Sequence, residues 1–231
     1  MKMRGTTYGV GVGPGDPELL TQKAIRLIRE NDVIAVAGKD AKEAVAFRIA
    51  AACVPEIQEK VLVPVYMPMI KDKEKLREAH AKGAEILESY LDQGKNVVYL
   101  TLGDPTVYCT FTYLQEILEK DGYPVELVPG ITSFTAAAAR LGVSLAVRDE
   151  MIHVLPAVFR SEEPLTFPGT YILMKSASKM KDVKEMLKNS GRKILAAEKC
   201  GMPGEKIYRS VEEIPDDAGY YTLIIAKEKK E

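Results

Sequence analysis

The sequence predicts an α/β protein with two lobes: a mostly parallel α/β lobe at the N-terminus and an α+β lobe with a mixed sheet at the C-terminus. In the first half of the chain, short apolar segments alternate with amphipathic helical patterns, as they do in βαβ units. From Glu150 onward, predicted strands outnumber helices, which favours mixed or antiparallel pairing. We place the boundary near residues 127–132 and take residues 1–128 and 129–231 as the two lobes.

The composition is that of a globular protein without a membrane or nucleic-acid partner. The 231 residues are 46% hydrophobic and 28% charged, and the net charge of −1 gives no overall attraction to polyanions. We find neither a signal peptide nor an apolar run long enough to span a membrane. Three widely spaced cysteines without a C-x-x-C motif favour a reducing cytoplasm. Because His80 and His153 lie far apart and have no cysteine neighbours, we expect no protein-bound metal.

The chain begins with a βαβ unit whose turn is rich in glycine. Residues 7–12 are predicted to form a buried strand, and the turn that follows reads Gly11-Val12-Gly13-Pro14-Gly15-Asp16-Pro17. Asp16 and Pro17 are typical of a helix N-cap and the first helical position. The helix should end near Asn31 and be followed by a strand at residues 32–37. Its apolar face consists of Leu20, Ala24, Leu27 and Ile28.

This turn does not match the dinucleotide-binding fingerprint. The motif G-x-G-x-x-G requires glycine at the first, third and sixth positions. Counted from Gly9 the sixth position is Pro14, and counted from Gly11 it is Asp16. Gly38, rather than an acidic residue, follows the second strand. The sequence therefore disfavours a nicotinamide cofactor.

Two helices and a strand complete the next part of the first lobe. Residues 40–53 are predicted to be helical, with Ile49 outside the inward-facing stripe of Ala44, Phe47 and Ala51. Residues 61–69 form a strand and then a loop. The charged helix at residues 73–92 has an apolar stripe of Leu76, Ala79, Gly83, Ile86, Leu87 and Tyr90. His80 borders that stripe and is interpreted as a surface residue.

A second turn follows the strand that begins at Val97 and reads Leu102-Gly103-Asp104-Pro105-Thr106-Val107-Tyr108. Parallel sheets bind ligands at the carboxyl ends of their strands, which is where this turn would lie. Gly103 allows close approach of a ligand to the backbone because it has no Cβ. Asp104 either caps the helix that follows or binds a ligand, and this stretch alone does not decide between the two.

The third turn joins a strand at residues 123–128 to an alanine-rich helix at residues 134–141, which Gly142 should end. Its sequence is Pro129-Gly130-Ile131-Thr132-Ser133. Thr132 and Ser133 either cap this helix or face a polar ligand. In the second lobe, strands are predicted at residues 151–155, 170–174, 193–197, 206–209 and 220–226, with one clear helix at residues 179–189.

The three turns, in this order and spacing, resemble those of the tetrapyrrole methylases, the S-adenosylmethionine-dependent enzymes of cobalamin and sirohaem biosynthesis. The resemblance covers the whole chain and implies the two-lobed tetrapyrrole methylase fold. The second and third turns look most like the branch that methylates C20 of precorrin-2 or cobalt-factor II. Uroporphyrinogen methylases usually have a further glycine where this chain has Leu102.

The resemblance implies that S-adenosylmethionine binds folded in the cleft between the lobes, in contact with Pro14, Gly103, Asp104, Val107, Tyr108, Thr132, Ser133, Met174 and Ala226. In this scheme Pro14 shapes the substrate trough. Val107 and Tyr108 line the methionine part, although Tyr108 could equally belong to the core. Met174 and Ala226 bracket the adenine. Residues 198–204 are a further candidate, through the backbone of Cys200 and Gly201.

The resemblance leaves the catalytic residues unknown. A base must accept the C20 proton, and Asp104, Glu150, His153 and Tyr108 are candidates, as are water and the macrocycle itself. The substrate carries many carboxylates, for which the candidate partners are Lys39, Arg140, Arg148 and Arg160. Any metal would arrive with the substrate.

Several alternatives remain open at this stage. One is a methylase of the same fold that acts at C11 or C17, on uroporphyrinogen III, or on a protein as a diphthamide-type enzyme does. Another is a non-enzymatic nucleotide-binding module. The resemblance also implies a cytoplasmic homodimer.

Overall fold

The computed structural model describes residues 4–157 and 165–229 and divides the chain into two compact units, Met1–Thr132 and Ser133–Glu231. The sequence places the boundary between residues 128 and 129, ahead of the third turn. In the structure, most of that turn stays with the first unit, because the Gly130 N–H donates to a side-chain oxygen of Asp104 at 2.9 Å.

The first unit is a five-stranded, wholly parallel sheet in the order β3-β2-β4-β1-β5. The strands are β1 (Thr7–Gly11), β2 (Val33–Ala37), β3 (Val61–Val65), β4 (Val97–Thr101) and β5 (Val125–Val128). The helices are α1 (Gln22–Glu30), α2 (Val45–Cys53), α3 (Lys73–Leu91) and α4 (Phe111–Lys120), with 3₁₀ helices at Pro17–Leu19 and Pro55–Glu59. Every residue of β4 is buried, as expected for a central strand of a sheet covered on both faces.

The strand order creates a switch point between the neighbouring strands β4 and β1. The chain leaves β1 toward β2 on one side of the sheet, whereas it leaves β4 toward β5 on the other side. Right-handed crossovers in opposite directions place their helices on opposite faces of the sheet. Open α/β sheets bind their ligands beyond the carboxyl ends of the strands at such a switch point, which here are β1 and β4.

Helix α1 starts later than the sequence suggests. Asp16 accepts a hydrogen bond from the Glu18 N–H at 2.9 Å and so caps the short 3₁₀ helix Pro17–Leu19, not α1. The cap of α1 is Thr21, whose hydroxyl oxygen accepts from the Ala24 N–H at 3.2 Å.

Two of the predicted helical faces need correction. Helix α2 begins at Val45 rather than at residue 40, and Ile49 is buried although it lies outside the predicted stripe. The reason is that α2 packs against β4 and against both 3₁₀ helices, so more than one side of it is covered. On α3, Ile86 is 40% exposed and lies outside the buried face, which centres on Gly83, Ala84 and Leu87.

The second unit contains a mixed sheet in the order β6-β7-β10-β8-β9. Among the described strands of this sheet, β6 and β7 pair in parallel and the other neighbours pair antiparallel. The strands are β6 (Ile152–Pro156), β7 (Thr170–Met174), β8 (Lys193–Glu198), β9 (Lys206–Tyr208) and β10 (Thr222–Lys227). Helices α5 (Ser133–Leu141) and α6 (Met180–Asn189) contribute to two apolar clusters on opposite faces of this sheet, and a 3₁₀ helix covers Ala177–Lys179. The predicted fold class is confirmed.

Helix α5 ends as predicted, at a glycine in the left-handed region. Gly142 has φ +70°, its N–H donates to Ala139 O at 3.1 Å, and the Val143 N–H donates to Ala138 O at 3.0 Å. These two bonds form a Schellman motif, which satisfies carbonyl groups that the helix end would otherwise leave unpaired.

In the part of the chain that the structure describes, no helix combines the length and apolar character needed to cross a membrane.

Candidate active site

The three turns singled out in the sequence meet at the carboxyl edge of the first sheet. The Gly103 N–H donates to Gly13 O at 2.8 Å, and the Gly13 N–H donates to Gly103 O at 3.2 Å. These two bonds make a short antiparallel bridge between the first and second turns. The chain therefore brings together, at the switch point, Gly13 and Gly103, which lie 90 residues apart in the sequence.

Asp104 joins the second turn to the third. One oxygen, Oδ1, accepts from the N–H and the hydroxyl of Thr106, and the other, Oδ2, accepts from the Gly130 N–H. The side chain is buried, with 8% of the residue exposed. Asp104 is not the N-cap of the next helix, because α4 begins only at Phe111, behind Thr110. The N-cap interpretation of Asp104 is therefore wrong, and the structural role that it does have is to link two loops.

Glycine is required where the three turns touch, but for two different reasons. A Cβ on Gly130 would lie 2.1 Å from Gly103 O, and a Cβ on Gly11 would lie 2.5 Å from the same atom. These two positions exclude any larger residue by close backbone packing. At Gly103 the constraint is conformational, because φ is +72° and a Cβ would meet only Ile131 O, at 3.9 Å. Only the side of Gly103 on which a Cβ would lie is therefore uncrowded.

The remaining first-unit candidates differ in exposure. Pro14 is buried, while Val107 and Thr132 are half-buried. Tyr108 is 42% exposed, so it does not belong to the core. Its φ of +50° is in the left-handed region, where a bulky residue costs about 1–3 kcal/mol and persists only if its surroundings enforce it. Such strain is concentrated at functional sites.

In the second unit, three of the predicted segments come together on one face of the sheet. Phe134 at the start of α5, Met174 at the end of β7 and Cys200 after β8 all pack against the same apolar cluster, which includes Leu223 and Ala197. Ser133, the first residue of α5, is half-buried next to Phe134. Phe134 was not predicted as part of this cluster, because an aromatic residue on a helix stripe carries no signal that separates a ligand contact from core packing.

Met174 and Ala226 do not form the predicted bracket. Ala226 pairs with Tyr171, three residues before Met174, and it is completely buried in the apolar cluster that contacts α6. Met174 packs on the opposite face of the sheet, in the cluster that contacts α5. Because side chains alternate between the faces of a strand, no rotamer change brings the two together. In this conformation Met174 and Cys200 are neighbours of one cluster, and Ala226 belongs to another.

The candidate bases of the second unit already have backbone partners. An oxygen of Glu150 accepts from the Val147 N–H at 2.9 Å. Nε2 of His153 lies 2.9 Å from Pro168 O, and the ring stacks on Tyr171 with centroids 4.5 Å apart. Both arrangements stabilise local structure.

The candidate cations are distributed over both units. Lys39 Nζ lies 5.7 Å from the centre of the Tyr66 ring, a cation–π distance. Arg140 forms an ion pair with Glu205, with Nε and Oε1 2.6 Å apart. Arg148 is exposed and has a left-handed backbone, with φ +57°. Arg160 lies outside the described residues.

Two further groups have shifted pKa values that reflect local structure. Burial alone would raise the pKa of Glu198, but hydrogen bonds from the Tyr208 hydroxyl at 2.8 Å and the Gly219 N–H at 3.0 Å outweigh it and lower that pKa. Burial and the bond to Glu198 raise the pKa of Tyr208 to about 12.

Within residues 4–157 and 165–229, no three His, Cys, Asp or Glu side chains come together as a metal-ion site would require.

The parallel first unit, the mixed second unit and the three joined turns define a class of protein. The family model of the Tetrapyrrole (Corrin/Porphyrin) Methylases matches residues 6–215, and the chain belongs to this family. The family prediction made from the three turns is thereby confirmed.

Within this family, the chain is similar to several individual enzymes in sequence and in structure. The chain is 38% identical over 170 residues to the probable cobalt-precorrin-2 C(20)-methyltransferase of Methanocaldococcus jannaschii, covering 73% of this chain and 71% of that protein. It is 29% identical over 239 residues to the cobalt-precorrin-2 C(20)-methyltransferase of Salmonella typhimurium, covering 99% of both. The uroporphyrin-III C-methyltransferase of Thermus thermophilus has the same fold, with a TM-score of 0.72, 26% identity and coverage of 98% of this chain and 93% of that one. A second structure of the Thermus enzyme, in complex with S-adenosylhomocysteine, has a TM-score of 0.66 at 24% identity and covers 97% and 98% of the two chains.

Proposed function

We propose that this chain transfers a methyl group from S-adenosylmethionine to C20 of precorrin-2 or cobalt-factor II, a step of cobalamin biosynthesis. The observation that carries the proposal is the end-to-end match to a C20-methyltransferase, which covers 99% of both chains. The sequence of the second turn, with Leu102 before Gly103, supports the same branch.

The three turns of the first unit fit one part of the cofactor. The side of Gly103 on which a Cβ would lie is uncrowded, so a ligand can approach its Cα closely while its N–H and C=O stay bonded to Gly13. Asp104 holds the neighbouring loops in register, and a carboxylate oxygen with two lone pairs can accept from a ribose hydroxyl or an ammonium group besides the protein. Pro14, Val107, Tyr108 and Thr132 belong to the same three turns and complete this proposed surface.

In the second unit, the proposed adenine contacts are Met174 and the backbone near Cys200, together with Ser133 at the start of α5. Met174 supplies a polarisable apolar surface, which suits a flat aromatic ring. Cys200 and Phe134 pack against the same cluster as Met174 and extend that surface. Ala226 is not retained as a contact, because it is completely buried on the other face of the sheet.

The chemistry asks more of positioning than of acid–base catalysis. S-adenosylmethionine supplies an electrophilic methyl group together with its own leaving group. A meso carbon of a reduced tetrapyrrole is electron-rich, so the residues of the site have to hold the two partners in line and exclude competing nucleophiles. Such alignment can lower a barrier by about 7–11 kcal/mol in favourable cases. Water or a pyrrole nitrogen can accept the C20 proton, so the proposal assigns no catalytic base.

The substrate and the assembly follow from the same proposal. A tetrapyrrole with many carboxylates needs cations, for which Lys39 and Arg148 are the first choices. Arg140 is a weaker candidate, since its guanidinium already pairs with Glu205. We further propose a homodimer in the cytoplasm, in line with the family resemblance.

Calorimetric titration separates the classes of function. We expect the purified chain to bind S-adenosylmethionine and S-adenosylhomocysteine and not NAD or ATP. If neither of the first two ligands binds, the methyltransferase proposal is wrong. Selective binding of NAD or ATP would instead favour a nucleotide-binding module.

Uroporphyrinogen III methylation is the second candidate, and the similarity to the Thermus structures is the observation that favours it. The two activities differ in substrate and in product. Uroporphyrinogen III has no methyl group on the macrocycle, whereas precorrin-2 already carries two. A competition assay with both substrates, read by mass spectrometry, decides between them.

A further inference from the structure

The loop between β8 and β9 is held by left-handed backbone conformations and by backbone hydrogen bonds. Lys199, Gly201 and Gly204 all have positive φ angles, of +52°, +72° and +82°. The Met202 N–H donates to Lys199 O at 2.8 Å, and the Glu205 N–H donates to Met202 O at 3.1 Å. The loop thus folds back on itself in two successive tight turns, and Cys200 and Gly201 lie at its start.

The side chain of Glu205 accepts one hydrogen bond from within this loop and one from helix α5. Its Oε2 accepts from the Gly201 N–H at 2.8 Å, and its Oε1 accepts from Nε of Arg140 at 2.6 Å. Arg140 belongs to the last turn of α5, the helix that begins at Ser133. We call these three residues, Arg140, Glu205 and Gly201, the Glu205 bridge.

The two bonds of the Glu205 bridge are not equivalent. The side chain of Glu205 is only 16% exposed, whereas that of Arg140 is 63% exposed, so water screens and replaces the ion pair readily. The Gly201 N–H has no such freedom, because the tight turn fixes its direction. A backbone N–H bonded to a carboxylate is the stronger of the two contacts.

We propose that Glu205 is a positioning residue for cofactor binding: its carboxylate fixes the peptide of Gly201, and with it Cys200, relative to α5. This inference rests on the proposed function, since it assumes that the segment around Cys200 and Gly201 contacts S-adenosylmethionine. Glu205 does not touch the cofactor in this scheme. It sets the geometry of the loop and leaves the reacting atoms to other residues.

The bond from Gly201 also explains the state of the carboxyl group. That bond lowers the pKa of Glu205, burial opposes the shift, and the Arg140 guanidinium lowers the pKa further. The folded-state pKa lies below the ordinary value of 4.5, so Glu205 stays ionised and the bridge stays intact at neutral pH.

A graded set of variants tests the Gly201 bond against the ion pair. Glu205→Ala removes both bonds, and Glu205→Gln keeps an oxygen that can accept from Gly201 while losing the ion pair. Arg140→Gln removes the ion pair and leaves the carboxylate free to accept from Gly201. The matched control is Glu30→Ala, which breaks the Arg26–Glu30 ion pair of the same 2.6 Å length on α1.

We expect Glu205→Ala to raise the dissociation constant of S-adenosylhomocysteine about tenfold, as the loss of one charged hydrogen bond would. Glu205→Gln and Arg140→Gln should each raise it less than about threefold, and the control should not change it. In Glu205→Ala the KM for S-adenosylmethionine should follow the dissociation constant, while kcat at saturating cofactor stays within about twofold of wild type. Amide exchange at Gly201 should accelerate in Glu205→Ala and not in Arg140→Gln.

The failure of this inference differs from failure of the proposed function. If the wild type does not bind the cofactor, the function is wrong, and amide exchange at Gly201 still decides whether Glu205 fixes that peptide. If the wild type binds and Glu205→Ala binds equally well, the positioning role is wrong. Equal weakening in Glu205→Ala and Glu205→Gln would also overturn it, because charge rather than the Gly201 bond would then matter. Should Glu205→Ala fail to fold, Glu205→Asp, which is too short to span both partners, replaces it in the comparison.

Discussion

Replacing Asp104 by alanine should disconnect the second turn from the third. The substitution removes the acceptor of three hydrogen bonds, two from Thr106 and one from the Gly130 N–H. It leaves the Gly130 N–H without its partner at a point where the Gly130 Cα already approaches Gly11 and Gly103 closely. Water therefore has little room to take the place of the carboxylate.

The magnitude follows from the two backbone donors. A hydrogen bond to a charged group contributes about 1.5–3 kcal/mol to stability. Thr106 is exposed and can turn toward water, so the Gly130 bond should account for most of the loss. We expect Asp104→Ala to lower the free energy of unfolding by about 2–4 kcal/mol. Asp104→Asn should also be destabilising, because one of its two terminal groups is a donor and must face a donor N–H.

Urea unfolding of the two variants and the wild type measures this loss. The matched control is Asp16→Ala, which removes a single exposed hydrogen bond, to the Glu18 N–H, and should cost less than about 1 kcal/mol. Calorimetry with S-adenosylhomocysteine, under conditions where every variant is folded, should show that Asp104→Ala also loses affinity. If both Asp104 variants unfold within 0.5 kcal/mol of the wild type (roughly the additivity error for independent sites), the loop-linking role of Asp104 is refuted.

Three further predictions concern glycine packing and protonation. Gly130→Ala should lower the free energy of unfolding by about 3 kcal/mol, because its Cβ would overpack against Gly103 O. Gly142→Ala should lower it by only about 1 kcal/mol, since its Cβ would meet open space. The reverse order of the two losses in urea unfolding would contradict the packing described. Because the folded-state pKa of Glu198 lies below its ordinary value of 4.5, the carboxylate stabilises the fold above pH 4.5, and this contribution is lost as the pH falls. The stability difference between wild type and Glu198→Gln, measured in urea from pH 6 to pH 3, should therefore shrink on acidification. A constant difference would contradict the stabilising role of the ionised carboxylate. Burial lowers the pKa of His80, so the midpoint of its NMR titration should lie below 6.5. Tyr113→Ala removes the ring that stacks on His80 at a centroid distance of 4.7 Å and should move this midpoint upward. An unchanged midpoint would mean that Tyr113 does not shield the histidine from water.

The strands of this fold were predictable because their signals are local. A run of buried β-branched residues is by itself the signal of a strand such as β4, although the partners of that strand, β1 and β2, lie far away in the sequence. Helix α5 ends at its own glycine through bonds within the helix end. The details that failed depend on neighbours. The burial of Ile49 requires a second packing surface, and α2 packs against both 3₁₀ helices as well as β4, which no periodicity in its own helix encodes.

The site was predictable in its parts but not in its connections. Glycine and proline identified each of the three turns, because only certain residues adopt such conformations. The role of Asp104 was not legible, since its second partner, Gly130, lies 26 residues further along the chain. For the same reason, no local pattern indicates that Ala226 and Met174 lie on opposite faces of the sheet, because their placement depends on the register between β7 and β10. Registers and loop-to-loop bonds are properties of the folded chain.

The position of methyl transfer is the most direct test of the whole account. The purified chain should be incubated with S-adenosylmethionine carrying a ¹³C-labelled methyl group, and with precorrin-2 and cobalt-factor II in turn. We predict that at least one substrate gains a single methyl group and that its carbon NMR signal identifies C20. A methyl group at any other position, or transfer to uroporphyrinogen III alone, would contradict the proposed function.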